Sequence, residues 1–227
     1  MKVVLITVLE KVFDKKLAAA FARNGFKVYA IGEERIEGVT AFPSESFPLE
    51  SLPSGLKEAA GAIEKNAGHI DIYIDVSDKR SPSDNFNVRG GINDNVMREL
   101  YDANVTRPMA MLETFLPLLE SGEGKRLCWL TSAEASINET RGTDGLGYKM
   151  AKAALHNFLQ ITRNALAPKG YTLRAFDPVH GEAEPQMAAE AAFNYFTRRR
   201  GIEREDARRD DEENLVFRDA YGRQHTW

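Results

Sequence analysis

A chain of 227 residues with 43% hydrophobic and 28% charged side chains has the material for a real core and a charged surface, in one large domain or two small ones. Its net charge of −4 supplies no overall basic field to draw in nucleic acid, and its one cysteine, Cys128, excludes an internal disulfide and fits a reducing cytoplasm. No stretch approaches the roughly 18 apolar residues of a membrane span, and the opening MKVVLITVLEK reads as a first strand rather than a leader, because Glu10, Lys11 and Asp14 end its apolar run.

Taken in order, the chain alternates apolar runs with helical stretches. Strands are expected at 2–7, 26–31, 38–42, 70–76, 125–131, 171–177 and 215–218, and helices at 14–24, 55–66, 94–120, 148–167 and 185–200. Runs such as VVLIT and IDIYIDV are apolar or β-branched almost throughout, as in strands covered on both faces of a parallel sheet. The alternation predicts an α/β fold, a doubly wound, mostly parallel sheet over a single domain, 1–227, with its site beyond the carboxyl ends of the strands.

The first strand–helix–strand unit, KVVLIT, KKLAAAFARNG and FKVYAIG, has the outline of a dinucleotide-binding turn, yet no glycine stands between its first strand and its helix. Glutamates 33 and 34 close the second strand, where a carboxylate suits a ribose diol and NAD over NADP, or is surface charge. Residues 43–54, with three prolines and four serines, read as a loop. Residues 77–93 form a polar, glycine-bearing loop after a strand, a substrate loop or a plain excursion.

Downstream, Asn104 lies inside the long amphipathic helix LYDANVTRPMAMLETFLPLL, and KRLCWLTSAEAS is a buried strand running into Thr131 and Ser132. Tyr148 and Lys152 stand four apart at a helix start and so share one face. An ammonium near a phenol lowers its pKa from about 10 and makes it a usable acid or base. Trp129, Phe86, His180 and Met187 are candidates for a pocket wall. No Cys/His cluster points to zinc, and no metal is expected. Residues 198–213 hold thirteen charged residues of both signs in sixteen, a solvated or mobile segment; Leu215, Val216 and Phe217 then return the chain to the sheet, and DAYGRQHTW packs on the body or on a second subunit.

In this order the parts resemble the short-chain dehydrogenase/reductase family from residue 2 to about residue 182: DANVTRPMAMLETFLPLL its asparagine helix, GEGKRLCWLTS its serine strand, and GYKMAKAALHNFLQITRNALAPKGYTLRAFDP its Tyr-x-x-x-Lys helix and following strand. The resemblance implies Tyr148 as proton donor or acceptor and Ser132 at the substrate oxygen. It makes Lys152 the residue that lowers the tyrosine pKa and holds a nicotinamide ribose, and Asn104 the anchor of a relay water. It also implies NAD or NADP as cofactor, with Thr7 and Glu33 beside Lys152 in its site, a small carbonyl or alcohol substrate, and a homodimer or homotetramer built on helix 94–120. Ser132 lies sixteen residues before Tyr148 and Ser136 twelve; Ser132 is preferred because it ends the strand.

The departures cluster in the nucleotide half. The family's Thr-Gly-x-x-x-Gly-x-Gly becomes Thr7, Val8, Leu9, Glu10, Lys11, Val12, Phe13, Asp14; Asn-Asn-Ala-Gly becomes Asp75, Val76, Ser77, Asp78; the adenine-side aspartate is missing from AFPSES; and the Pro-Gly after the sixth strand is Pro178, Val179, His180, Gly181. A β-branched Val8 resists φ > 0, so the usual turn shape is not expected, and Asp14 sets a carboxylate where a diphosphate would lie. Three readings stay open: an oxidoreductase with a rebuilt cofactor loop, a nucleotide-independent isomerase or lyase using Ser132, Tyr148 and Lys152, and a non-catalytic subunit beside an active relative.

Overall fold

The computed structural model describes residues 1–32, 35–43, 52–87, 89–179, 182–198 and 214–227. Eight strands form one sheet in the order β3-β2-β1-β4-β5-β6-β7-β8. They are β1 (Val3–Thr7), β2 (Lys27–Ile31), β3 (Val39–Phe42), β4 (Ile72–Asp75), β5 (Arg126–Leu130), β6 (Thr172–Asp177), β7 (Phe217–Asp219) and β8 (Gln224–His225). Each pair from β3 to β7 is parallel; β8 runs antiparallel to β7. β1, β4 and β5 are buried along their whole length, so both faces must be covered. Helices α2 (Leu52–Ala67), α4 (Arg107–Glu120) and α5 (Leu146–Leu166) cover one face, packing Leu56, Ile63, Phe115, Leu155 and Leu159 onto Leu5, Tyr73 and Trp129. On the other face, α1 (Val12–Arg23) and α6 (Pro185–Thr197) pack Phe13, Leu17, Phe21, Ala189 and Phe196 onto Val4, Ile74 and Cys128.

The doubly wound sheet is as expected, with three differences. The loop expected over 43–54 is shorter at its far end, because α2 begins at Leu52 and accommodates Pro53 in its first turn, where no amide donor is missed; residues 44–51 lie outside the described residues. The helix expected over 94–120 is α3 (Asp94–Tyr101), a π-helical turn over Asp102–Thr106, and α4. The short β8 was not expected; two residues carry too little periodicity to be read. The terminal Trp227 packs on the body, its ring 4.8 Å from His156 and 5.6 Å from Phe217. Of the charged segment 198–213, only Arg198 is described.

The winding direction reverses between β1 and β4. β2 and β3 lie to one side of β1, and β4 to β8 to the other. In open α/β sheets that reversal opens a crevice at the carboxyl ends, the usual place for a ligand. The loops after β1 and β4 face each other across it. No helix among the described residues is long and apolar enough to cross a membrane.

Candidate active site at the carboxyl edge of the sheet

Four sequence-named side chains meet beside this crevice. Ser132 follows β5 in extended backbone and starts a short 3-10 turn over Ala133–Ala135. Its hydroxyl accepts the Glu134 amide at 3.3 Å and lines the same cavity as Tyr148. Ser136 is buried elsewhere: its hydroxyl accepts the Glu139 amide proton at 3.1 Å and lies 3.5 Å from the Thr226 hydroxyl. Tyr148 is on the first turn of α5, whose start is fixed from outside. Gly145 turns the chain with φ 66°, and the Asp84 carboxylate accepts the amides of Gly147 and Tyr148 at 2.9 and 2.8 Å. A carboxylate on free N–H groups at the positive end of a helix is a strong cap. It ties the 77–93 loop across the front of α5, with Phe86 packed on Leu100 and Tyr148.

Lys152 lies one turn further along α5 and is fully buried. Its ammonium donates to the Ser77 carbonyl at 2.6 Å and the Leu130 carbonyl at 3.3 Å, joining the ends of β4 and β5. Asn104 sits in the π turn, a feature frequent at functional sites. Its amide nitrogen donates to the Leu100 and Lys79 carbonyls, both at 2.9 Å, and its oxygen accepts the Lys79 amide at 3.1 Å. Both donors are thus committed to backbone. Asn104 thereby clamps the loop after β4.

The partner at the centre is one that sequence alone does not single out. Asp78, third residue after β4, is buried, and its Oδ1 accepts the Tyr148 phenol at 2.5 Å and lies 3.4 Å from the Lys152 ammonium. The Lys11 ammonium, arriving from the loop after β1, pairs with Asp78 Oδ2 and donates to the Asp78 carbonyl at 2.6 Å. The Arg80 guanidinium lies over the Tyr148 ring, 4.0 Å from its centroid, and pairs with Glu134 at 2.7 Å.

This arrangement reverses the expected tuning of Tyr148. Burial and the Asp78 charge push the phenol well above its ordinary pKa, outweighing the opposite pull of Arg80 and Ser132. Lys152 does not offset this: burial pushes the ammonium's own pKa down, and its ion-pair partner is Asp78 at 3.4 Å. Asp78, although buried, is held well below the usual carboxylate range by Lys152, Lys11 and the phenol's hydrogen bond. The signal for Asp78 was a carboxylate in place of a family glycine, in the polar loop after β4; what it would bind was not readable.

On the β5–β6 side, a cavity of about 200 Å³ is lined by Arg80, Ser132, Tyr148, Asp177, Arg223 and His225, among others. The tail shapes this wall: His225 bridges Glu139 at 2.7 Å and Asp219 at 3.1 Å. Among the pocket candidates, Trp129 is instead a core residue against Tyr73 and Phe158, Met187 lies on α6 away from this wall, and His180 lies outside the described residues.

The other side of Asp78 is the crevice proper. Val8, expected to resist a left-handed backbone, adopts φ 58°, at a cost of about 1–3 kcal/mol. Two contacts hold the turn beyond it: the Leu9 amide donates to Ile31 at 2.7 Å, and a Cβ on Gly32 would meet Leu9 at 2.8 Å, so only glycine fits there. The Glu10 and Lys11 amides, in the turn just before α1, donate to Asp14 Oδ2 at 3.1 and 2.7 Å. Thr7, expected beside a cofactor, is fully buried and donates to Asp75 at 2.8 Å beneath the crevice. Glu33 and Glu34 lie outside the described residues. A cavity of about 250 Å³ remains here, its lining including Val8, Glu10, Asp78, Glu99, Asp102 and Arg107. Around this crevice the amides of the turn before α1 and Lys152 hold the chain's own carboxylates, and Lys11 bridges the gap.

No family model matches the chain. An uncharacterized oxidoreductase of Schizosaccharomyces pombe is 26% identical over 153 residues, 61% of this chain and 58% of that relative, so the matched part spans less than two thirds of the relative's length. Among solved structures, the carbonyl reductase Sniffer of D. melanogaster matches with a TM-score of 0.81 at 12% identity over 100% of both chains. A putative short-chain dehydrogenase/reductase from Burkholderia multivorans with bound NADP matches with 0.79 at 15% identity, covering 100% of this chain and 99% of that one. A carbonyl reductase from Pseudomonas aeruginosa in complex with NADP matches with 0.76 at 18% identity over 100% of both chains. As the asparagine helix, serine strand and Tyr-x-x-x-Lys helix implied, the chain has the fold of the short-chain dehydrogenases/reductases.

Proposed function

We propose that this chain is an enzyme of the oxidoreductase kind acting on a small, polar carbonyl or alcohol compound, with Tyr148 as its proton donor or acceptor. The observation that carries the reading is the convergence of the Ser132 hydroxyl and the Tyr148 phenol on one cavity, over a fully buried Lys152. A substrate oxygen seated there would accept from Ser132 and exchange a proton with Tyr148. Arg80 on the ring face and Asp84 under the helix start keep the phenol in place. In the reducing direction the phenol donates to the substrate oxygen and leaves Asp78; in the oxidising direction the substrate hydroxyl gives its proton back. Lys152 and Lys11 hold the charge of the group left behind. The names of the relative and of the solved neighbours support oxidoreduction, and NADP or NAD as the carrier is the corresponding proposal.

A second reading is favoured by one specific observation, the carboxylates of Asp14 and Asp78 in the crevice. On that reading the same tyrosine moves protons without a nucleotide, as in an isomerisation or elimination. A homodimer through α3–α4 is proposed as well; Tyr101 and Met109 there, and Met150 on α5, are exposed apolar side chains. The test is turnover of a panel of small carbonyl and alcohol compounds with NADH, with NADPH and with neither, products identified by mass. Consumption of cofactor matched to product supports oxidoreduction, product without nucleotide supports the second reading, and turnover indifferent to Tyr148→Phe overturns both.

A further inference from the structure

The crevice between β1 and β4 is filled by the chain's own anions. The turn that leads into a helix N-terminus is where a phosphate is drawn, yet in the turn before α1 Glu10 and Lys11 give their amides to Asp14. Asp14 is 1% exposed, and its second oxygen, Oδ1, is buried without a hydrogen-bond partner. Asp78 takes the Lys152 ammonium and the Tyr148 phenol at the inner end. Lys11 ties the two ends together across the gap, so the two carboxylates and the bridge form one assembly. The cavity left beside it is lined by the carboxylates Glu10, Asp78, Glu99 and Asp102 against the cations Lys79 and Arg107. Of these cations, Lys79 already pairs with Glu99. A diphosphate entering here would displace Asp14 from its amides and meet a surplus of negative charge.

We infer that Asp14 and Asp78 are built-in anionic occupants of the nucleotide crevice, which suppress binding of dinucleotides by competing for the amides of the turn before α1 and for Lys152. The inference stands whichever reaction proves correct, because its readout is binding and not turnover. Each carboxylate competes separately, so neutralising either one raises affinity and neutralising both raises it further.

The experiment, run at about pH 8.5 so that Asp14 is ionised, measures NADH, NADPH and ADP binding by calorimetry to the full chain and to the variants Asp14→Asn, Asp78→Asn and Asp14→Asn/Asp78→Asn. Circular dichroism checks each fold. The amide side chains keep the shapes and the acceptor oxygens while removing the charge. The expected result is millimolar or weaker binding to the unaltered chain and a gain of at least about tenfold, about 1.4 kcal/mol, in the double variant. Asp14→Asn alone should tighten ADP, whose diphosphate is the group it competes with. Low-micromolar binding of NADH or NADPH to the unaltered chain overturns the inference. So does unchanged affinity in a folded double variant or, should that variant fail to fold, in both single variants. Lys11→Met separates charge from bridge: it removes the tie and leaves both carboxylates, so a gain equal to the double variant's would show that the bridge, and not the anions, closes the crevice.

Discussion

Asp78 divides two regions that share a fold and differ in what they offer a ligand. On one side, Ser132 and Tyr148 face a cavity of about 200 Å³. On the other, the amides after β1 and the Lys152 ammonium are bound to Asp14 and Asp78. The comparison teaches that keeping catalytic-type residues does not keep their tuning. Tyr148 and Lys152 stand where the resemblance puts them, yet a carboxylate in place of one glycine uses the lysine's charge and raises the phenol's pKa. A buried charge acts on whatever lies nearest, and here that is Asp78 rather than the tyrosine.

The sharpest way to break the comparison is Tyr148→Phe. If the cavity side is the working half, turnover falls by about 10²–10⁴-fold, the usual contribution of a general acid or base, while the fold is kept at a cost of about 1.5–3 kcal/mol for the lost hydrogen bond to Asp78. An unchanged rate would make both halves equally inert.

The crevice side is tested next by stability. Burial raises Asp14 to about 7 from an ordinary value of 3.8, more than its amide partners lower it. With the folded pKa above the unfolded one, the protonated form favours folding; that contribution is complete below about pH 4 and is lost as pH rises through 7. Asp14→Asn has no such loss. Its advantage over the unaltered chain should be near zero at pH 4 and reach up to about 4 kcal/mol above pH 8, an upper figure read from melting curves across that range. A flat difference would mean that Asp14 is not desolvated and the crevice is open.

A smaller effect tests what positions the tyrosine. Asp84→Ala removes the cap on Gly147 and Tyr148 and should cost about 0.5–2 kcal/mol in stability. It should also lower kcat more than it raises KM, with Asp84→Asn restoring part of kcat; equal stability losses in both variants with kcat unchanged would make Asp84 a cap and nothing more. The smallest effect is expected from Ser136→Ala. That hydroxyl accepts the Glu139 amide, away from the phenol, so activity should stay within about twofold, whereas Ser132→Ala should lower it by at least tenfold. The reverse order would move the substrate oxygen to Ser136.

Much was legible from residues alone because the periods are strong. Runs buried on both faces, such as IYID, and amphipathic stretches such as α5 gave the parallel sheet and its order of parts. The places of Ser132 at a strand end and of Tyr148 and Lys152 on one helix face followed from local geometry. The same local rules failed at Val8, where a β-branched residue takes a left-handed backbone because neighbours hold the turn. They allowed for Asn104 binding backbone carbonyls, but not for the π turn that aims its amide at Lys79.

By itself, then, the sequence determined the doubly wound fold, the loss of the glycine turn and three of the residues that meet at the carboxyl edge, Ser132, Tyr148 and Lys152. Only the tertiary structure decided what those residues do to one another. Asp78 lies 67 positions from Lys11, 70 from Tyr148 and 74 from Lys152, and no periodicity reports a contact at such separations. The sheet order brings the loops after β1 and β4 face to face, and at that distance, out of water, charges decide among partners that propensity cannot rank.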